Sequence, residues 1–132
     1  MKISFVNGCF DVLHPGHIQL LEYARSFGDY LIVAIDSDRR VVEMKGPKRP
    51  IFSQYDRAAV LKSIRYVDIV HVFDTKEDLE QLLESIKPDI MVVGSDWKGK
   101  EVVGSQYAKQ VRFFDRIGKY STTKTVKHLT DW

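Results

Sequence analysis

Two imidazole side chains flank a Pro-Gly pair near the start of the chain, in the run Gly8-Cys9-Phe10-Asp11-Val12-Leu13-His14-Pro15-Gly16-His17. His14 and His17 are three residues apart, and an apolar pattern with helical spacing begins at His17. A helix start presents unpaired backbone N–H groups and the positive end of the helix dipole, which favour an anion such as phosphate. Imidazoles beside it can donate hydrogen bonds to phosphate oxygens. The loop therefore predicts a site for a phosphate-bearing ligand.

Other interpretations of this loop stay open. Histidines are also common as helix caps and core residues, and two of them around a turn can belong to a metal site. The sequence offers no convincing third metal ligand, because Cys9 lies close by while His71 and His128 fall on other elements. Cys9 as a nucleophile has only its place in the loop in its favour. We expect no metal site built by the protein alone.

A second segment that could meet an anion is Lys45-Gly46-Pro47-Lys48-Arg49-Pro50, with three cations in six residues. Its two prolines and its glycine predict a loop and not a helix face. It is either a solvated surface loop or a mobile loop that delivers positive charge to a small anion.

The elements that must position these residues alternate between strand and helix. Strands are predicted at 2–7, 30–35, 68–73, 89–93 and 111–114. Helices are predicted at 17–27, at 53–64 behind the capping pair Ser53 and Asp56, at 75–86, and from Ser121 to about Leu129, and a short helix ends within 107–110. This order implies right-handed crossovers and an α/β fold, a Rossmann-like doubly wound parallel five-stranded sheet with helices on both faces. Ligands of such sheets bind beyond the carboxyl ends of the strands, here the loops after strands one, two, four and five.

The composition limits the classes of protein to which the chain can belong. The 132 residues, 44% apolar and 29% charged with a formal net charge of +2, fit one domain over 1–132 with an ordinary core. One cysteine excludes an intramolecular disulfide framework, and no apolar run reaches the ~20 residues of a membrane span. Basic and acidic residues are mixed, so we expect no nucleic-acid partner. The first eight residues are too quickly interrupted for a signal peptide, so we expect a cytoplasmic protein.

The run from Gly8 to His17 resembles the signature of the cytidylyltransferase-like nucleotidyltransferases, a Phe-Asp pair followed by His-Xaa-Gly-His. A second family element is Ser121-Thr122-Thr123, and the resemblance covers nearly the whole chain. It implies an enzyme that transfers a nucleoside monophosphate from a nucleoside triphosphate to a phosphorylated acceptor and releases pyrophosphate. The acceptor phosphate is already an anion, so positioning and positive donors would supply most of the catalysis.

The resemblance also implies roles for individual residues. The catalytic residues would be His14, His17, Lys45 and Arg116. The nucleotide would be bound by Gly8, Cys9, Phe10, His14, Gly16, His17, Asp96, Trp97, Arg116, Ser121, Thr122 and Thr123. The acceptor would be bound by Asp11, Lys45 and Lys48. Hydroxyls of Ser121 and Thr122 would meet β- and γ-phosphate oxygens, and Asp96-Trp97 would lie beside the base and ribose, unless Trp97 is only hydrophobic cover of a turn. Mg²⁺ would arrive with the triphosphate.

Two branches of the family compete. Heptose 1-phosphate adenylyltransferases look similar at Asn7–Asp11, Ser37-Asp38, Lys45–Pro50, Asp56-Arg57 and Lys100–Gly104. Glycerol-3-phosphate cytidylyltransferases look similar at Gly28–Tyr30, Ile64–Asp68, Asp96–Lys100 and Arg116. In the second branch the arginine is followed by Thr-Xaa-Gly, but here the glycine is displaced by one residue. Because of this departure, and because Lys45–Pro50 is the better-matched long element, we favour ATP and a sugar 1-phosphate over CTP and glycerol 3-phosphate.

The resemblance further implies a homodimer. Some heptose enzymes are fused to a kinase domain that has no counterpart in these 132 residues, so we expect a separate protein to supply the phosphorylated acceptor. A non-catalytic nucleotide-binding module is the alternative from a different class. The presence of His14, His17, Lys45 and Ser121 argues against it.

Overall fold

A computed structural model describes residues 1–115 and 121–130 of the chain. The strands are β1 (Ile3–Gly8), β2 (Tyr30–Asp36), β3 (Ile69–Phe73), β4 (Ile90–Gly94) and β5 (Gln110–Phe114). The helices are α1 (Pro15–Arg25), α2 (Asp38–Lys45), α3 (Gln54–Lys62), α4 (Lys76–Ile86) and α5 (Thr122–Thr130), with 3₁₀ turns at Ser95–Trp97 and Ser105–Tyr107. The predicted short helix ending within 107–110 is the second of these turns. All strand pairs are parallel, in the order β3-β2-β1-β4-β5, which confirms the predicted five-stranded sheet.

Helices cover both faces of the sheet, as predicted. Leu31, Val33 and Ile35 of β2 pack on one face in a cluster that includes residues of α1 and α3. Ile32 and Ala34 point to the other face, into a cluster that includes residues of α4. This alternation is the period of two of an extended strand, and burial on both faces explains why β2 is almost continuously apolar.

The first helix begins two residues before the predicted start. His14 is its N-cap, Pro15 occupies the first helical position, and His17 lies at the third. Proline is favoured at that position because its missing N–H would have no partner within the helix. The apolar pattern begins at His17, so spacing alone placed the start of the helix too late.

The helix α2 was not predicted. Its sequence is rich in charge, and only Val41 among its residues is buried, so the apolar pattern is weak. Ser37 caps the helix by accepting a hydrogen bond from the Arg40 N–H, and Arg40 pairs with Asp36 at 2.7 Å. As a consequence Lys45 is the last residue of a helix, and the loop begins at Gly46 and not at Lys45.

The chain changes direction across the sheet between β1 and β4. From β1 it extends through β2 to β3 on one side, and then it crosses to β4 and β5 on the other. The connections that follow β1 and β4 therefore leave the sheet in opposite directions. Between them lies a crevice of the kind that binds ligands in open α/β sheets. In the described part of the chain no helix is both long enough and apolar enough to cross a bilayer.

Candidate active site

A cavity of about 260 Å³ opens at this crevice, and we call it the main cavity. It is lined by His14, Gly16, His17, Leu20, Lys45, Gly94, Asp96, Trp97, Phe114, Ser121, Thr122 and Thr123. These residues come from the segments that follow β1, β2, β4 and β5, which are the four predicted. The two remote motifs, one near each end of the chain, thus meet at one cavity.

The two histidines hold each other and the start of α1 in place. The Nδ1 atom of His14 accepts a hydrogen bond from the Gly16 N–H at 3.1 Å. The Nδ1 atom of His17 accepts one from the His14 N–H, also at 3.1 Å. The rings stack with centroids 3.8 Å apart. Since Nδ1 is the acceptor in both, the neutral rings carry their proton on Nε2, which is the donor required for a phosphate oxygen.

The start of α5 forms the opposite side of the main cavity. The Ser121 Oγ atom accepts a hydrogen bond from the Lys124 N–H at 3.3 Å, which confirms the predicted cap and leaves its own proton to donate. Thr122 differs from the prediction, because its hydroxyl donates to the Val12 carbonyl at 3.1 Å and so does not offer that proton to a phosphate. The N–H groups of the first helical turn have no partner within the helix and suit an anion.

A second cavity of about 180 Å³ adjoins the main one, and we call it the side cavity. It is lined by Asn7, Gly8, Cys9, Phe10, Asp11, His17, Leu20, Lys45 and Thr122. The two cavities share Lys45, His17, Leu20 and Thr122. Lys45 therefore reaches the junction of two adjoining spaces, each with its own lining.

Of the residues predicted to bind nucleotide, Gly8, Cys9 and Phe10 line the side cavity and not the main one. Gly8 makes room for an aromatic ring, since a Cβ atom there would lie 3.0 Å from the Phe10 Cε2 atom. Burial raises the pKa of the Cys9 thiol, although the positive charges of Lys45 and Arg57 oppose this shift. The thiol is therefore protonated near neutral pH, which disfavours Cys9 as a nucleophile.

Asp11 was predicted to bind the acceptor, but its carboxylate is occupied within the protein. The side chain has no exposed surface, and its oxygens accept hydrogen bonds from the Ile51 N–H at 2.7 Å and the Phe52 N–H at 3.0 Å. Arg49, which is also buried, lies 3.3 Å from the same carboxylate. Asp11 thus fastens the segment 49–52 to the histidine loop, and the predicted mobile loop is anchored at this end.

Arg57 is a residue that holds the loops of the site together and that sequence reasoning missed. Its side chain is 1% exposed, and its guanidinium donates to the carbonyls of Cys9 at 2.9 Å, Asp36 at 2.8 Å and Phe52 at 3.0 Å. It also pairs with the Asp38 carboxylate at 2.8 Å. One side chain therefore joins the segments after β1 and β2 to α3. The Asp56-Arg57 pair was noted in the sequence only as a family likeness.

The predicted residues Asp96 and Trp97 line the main cavity, together with Gly94 at the end of β4 and Phe114 at the end of β5. The apolar surface of Phe114 was not predicted. Trp97 is 49% exposed and lines the main cavity, and its contact with a base stays a prediction beside its other predicted role as hydrophobic cover of the turn. An exposed aromatic face beside a carboxylate is chemically suited to stack on a nucleobase and to meet its polar edge.

One predicted residue is not brought to the cavities, and another lies outside the part of the chain that the structure describes. Lys48 is exposed and lines neither the main nor the side cavity. Arg116 lies outside the described residues. In residues 1–115 and 121–130, no three His, Cys, Asp or Glu side chains are grouped so that they could hold a metal ion. Arrival of Mg²⁺ with the triphosphate stays a prediction.

Comparison with known proteins places the chain in a family. The family model described as cytidylyltransferase-like matches residues 5–125. The chain is 49% identical over 130 residues to bifunctional protein HldE of Campylobacter concisus and 46% identical over 128 residues to that of Helicobacter pylori G27. The two matches span 98% and 97% of this chain but only 27% of each relative. The chain thus spans about a quarter of the length of the curated relatives that it matches.

Solved structures support the same assignment. The lipopolysaccharide core biosynthesis protein of Thermoplasma volcanium is 26% identical, with a TM-score of 0.69 over 92% of this chain and 99% of that one. Thermotoga maritima TmcAL, at 13% identity and a TM-score of 0.67 over 99% of this chain and 50% of that one, shares the fold. With the family model matched over most of its length and both of the family's motifs at one cavity, the chain belongs to the cytidylyltransferase-like family of nucleotidyltransferases.

Proposed function

We propose that this domain transfers the adenylyl group of ATP to a sugar 1-phosphate of the heptose 1-phosphate type and releases pyrophosphate. The observation that carries the proposal is the convergence of His14 and His17 with Ser121 and Thr123 at one cavity, with Lys45 at its junction with a second. Two adjoining spaces with a shared cation suit a reaction that joins two anionic substrates.

The chemistry needs positioning more than proton transfer. An oxygen of the acceptor phosphate attacks the α-phosphorus of ATP, the bond from that phosphorus to the bridging oxygen breaks, and pyrophosphate leaves with the electron pair. No proton has to be removed, because the attacking phosphate is already an anion. The barrier lies in bringing two anions together and in stabilising the charge on the transferring and leaving groups.

The residues of the two cavities suit these tasks. In this proposal the Nε2–H groups of His14 and His17 donate to the triphosphate, and Ser121 with the first N–H groups of α5 holds the leaving pyrophosphate. Lys45 lies between the acceptor phosphate and the α-phosphate and lowers their repulsion. Mg²⁺, carried by the triphosphate, would neutralise further charge on it. The base would lie beside Asp96 and Trp97.

The choice of acceptor draws on two similarities. The segments shared with heptose 1-phosphate adenylyltransferases include Lys45–Pro50, whose Arg49 pairs with Asp11, a residue that lines the side cavity. The structure with a TM-score of 0.69 belongs to a protein named for lipopolysaccharide core biosynthesis, and that core is a carbohydrate. Both favour a phosphorylated sugar over glycerol 3-phosphate.

Pyrophosphate release tests the proposal, with ATP and CTP each offered heptose 1-phosphate and glycerol 3-phosphate and the product weighed by mass spectrometry. We expect release with ATP and heptose 1-phosphate and a product heavier than the acceptor by one adenylyl group. Release only with CTP and glycerol 3-phosphate would replace the proposal by the cytidylyltransferase alternative. Nucleotide binding without product from any pair would indicate a non-catalytic module. The predicted homodimer is measured separately by light scattering.

A further inference from the structure

The hydroxyl of Thr122 joins the two ends of the chain at the site. It donates to the Val12 carbonyl at 3.1 Å, across 110 positions of sequence. Thr122 is 9% exposed, so this hydrogen bond is shielded from water. Val12 belongs to the loop that leads to His14, and Thr122 is the first residue of α5, next to Ser121.

The loop that receives this hydrogen bond has an uncommon backbone. Val12 has a φ of 53° and Phe10 a φ of 52°, both in the left-handed region. A β-branched residue such as valine rarely adopts that region, because its side chain crowds the following carbonyl group. Such conformations persist only where surrounding contacts hold them, and they occur most often at functional sites.

Other hydrogen bonds also hold this loop. The Cys9 carbonyl accepts a hydrogen bond from Arg57 of α3 at 2.9 Å, and the Asp11 carboxylate is held by the N–H groups of Ile51 and Phe52. Those contacts fix the loop relative to α3 and the segment before it. The contact with Thr122 fixes the loop relative to α5, and hence the distance between the histidines and the helix start.

We propose that Thr122 is a positioning residue, whose hydroxyl holds the Val12 carbonyl and thereby keeps the histidine loop in register with the start of α5. It acts through the loop, not as a hydroxyl ligand of phosphate. The proposal rests on the proposed function for its catalytic consequence. Its structural part applies to the protein without nucleotide.

The only cysteine of the chain reports on this loop directly. Cys9 is half-buried, so its rate of alkylation by iodoacetamide, followed by mass spectrometry in the absence of nucleotide, measures how often the loop opens. We expect Thr122→Val, which keeps the shape and removes the hydroxyl, to raise this rate at least ~3-fold, since an anchor of the loop is lost. Thr122→Ser, which keeps the hydroxyl, should stay near the wild-type rate. Thr125→Val, the same change at an exposed position of α5, is the matched control.

Turnover is measured on the same variants. We expect Thr122→Val to lower kcat on the order of 10- to 100-fold, as misplacement of reacting groups does, with a smaller change in KM for ATP. Thr122→Ser should keep most of the wild-type kcat. If Thr122→Val does not fold, Thr122→Ala carries the same expectation.

Three outcomes would overturn the inference. An unchanged alkylation rate with a lowered kcat in Thr122→Val would make the hydroxyl a direct phosphate ligand. Equal acceleration in Thr122→Ser and Thr122→Val would make the methyl group, not the hydroxyl, the contact that matters. Equal acceleration in Thr125→Val would mean a general loosening of α5. The alkylation results stand even if no substrate pair gives turnover, so failure of the proposed function is distinguished from failure of this inference.

Discussion

Both imidazoles of the main cavity use Nδ1 to accept a backbone N–H, and this decides what their other nitrogen can do. His17 lies at the third position of α1 and closes a reciprocal cap with His14. In a neutral ring, the Nε2–H is therefore the nitrogen donor that can meet a phosphate oxygen. The capping role and the catalytic role use different atoms of the same ring, so they can be separated by substitution.

The paired variants His17→Asn and His17→Ala separate these roles. Asparagine keeps an acceptor near the position of Nδ1 but lacks the reach of Nε2, whereas alanine lacks both. We expect both variants to lose ~100-fold or more in kcat, as for removal of one transition-state donor. Only His17→Ala should also lose stability, by ~1 kcal/mol, the usual value of a helix cap. Kinetics and urea unfolding measure the two effects. If the two variants lost equal stability and neither lost kcat, His17 would be only a cap.

Two lysines of one segment provide a second test at this scale. Lys45 lines both cavities, whereas Lys48 is exposed and lines neither. We expect Lys45→Ala to raise KM for the acceptor and lower kcat by ~10-fold or more, because it removes a charge-assisted contact between the substrates. Its unfolding midpoint should not change, since the side chain is exposed. Lys48→Ala should stay within ~2-fold of wild type. The reverse ranking of the two variants would return Lys48 to the acceptor site.

At the scale of the elements, the helix α2 places the positive charge of Lys45, which the sequence predicted in a loop. The helix ends on Lys45, and its C-cap is Gly46 with φ 91° and ψ 175°. These angles are essentially restricted to glycine. The strong pattern of β2 and the Ser53 cap of α3 were readable from the sequence. The weak apolar pattern of α2 was not, because the helix is held by the Ser37 cap and the Arg40–Asp36 pair.

Gly46→Ala tests whether this helix end positions Lys45. A Cβ atom at Gly46 would meet nothing within 4 Å, so any cost is conformational and not steric contact. We expect a loss of stability of ~1–3 kcal/mol, or a local shift of the α2 end that raises KM for the acceptor. Gly94→Ala is the control for stability alone, because the Cβ atom there also meets nothing within 4 Å but φ is −60°, whereas its place in the lining of the main cavity excludes it as a control for KM. Wild-type stability and KM in Gly46→Ala would show that the helix end tolerates another conformation.

At the scale of the whole molecule, the sheet was predictable and the network that ties its loops together was not. Short apolar runs and the order of elements indicated a doubly wound sheet, and this located the cavity. The role of Arg57 depends on carbonyls of Cys9, Asp36 and Phe52, which are far apart in sequence. Backbone acceptors leave no trace in residue types, so no pattern points to such a contact. The same holds for the Val12 carbonyl and Thr122.

The opposite end of the sheet carries a charge network that should affect stability but not catalysis. Asp89 precedes β4, and its carboxylate accepts a hydrogen bond from the Ile3 N–H of β1 at 2.8 Å and pairs with Lys109 at 3.0 Å. The Ile3 N–H, followed by Lys109, lowers the pKa of Asp89 below its ordinary value. The contact joins the start of β1 to the segments before β4 and β5, far along the strands from the cavities.

A lowered pKa in the folded protein fixes the sign of the pH effect. Above the unfolded-state value of about 3.9 the contribution of Asp89 to stability is fully present, and it is lost as the pH falls through the lower folded-state value. Asp89→Asn should therefore be less stable than wild type at pH 7, and the two free energies of unfolding should converge as the pH falls below ~4. Urea unfolding from pH 7 to pH 2.5 measures this, with kcat at pH 7 expected to be unchanged. A constant difference between the two proteins across that range would show that the ionised carboxylate is not what joins these strands.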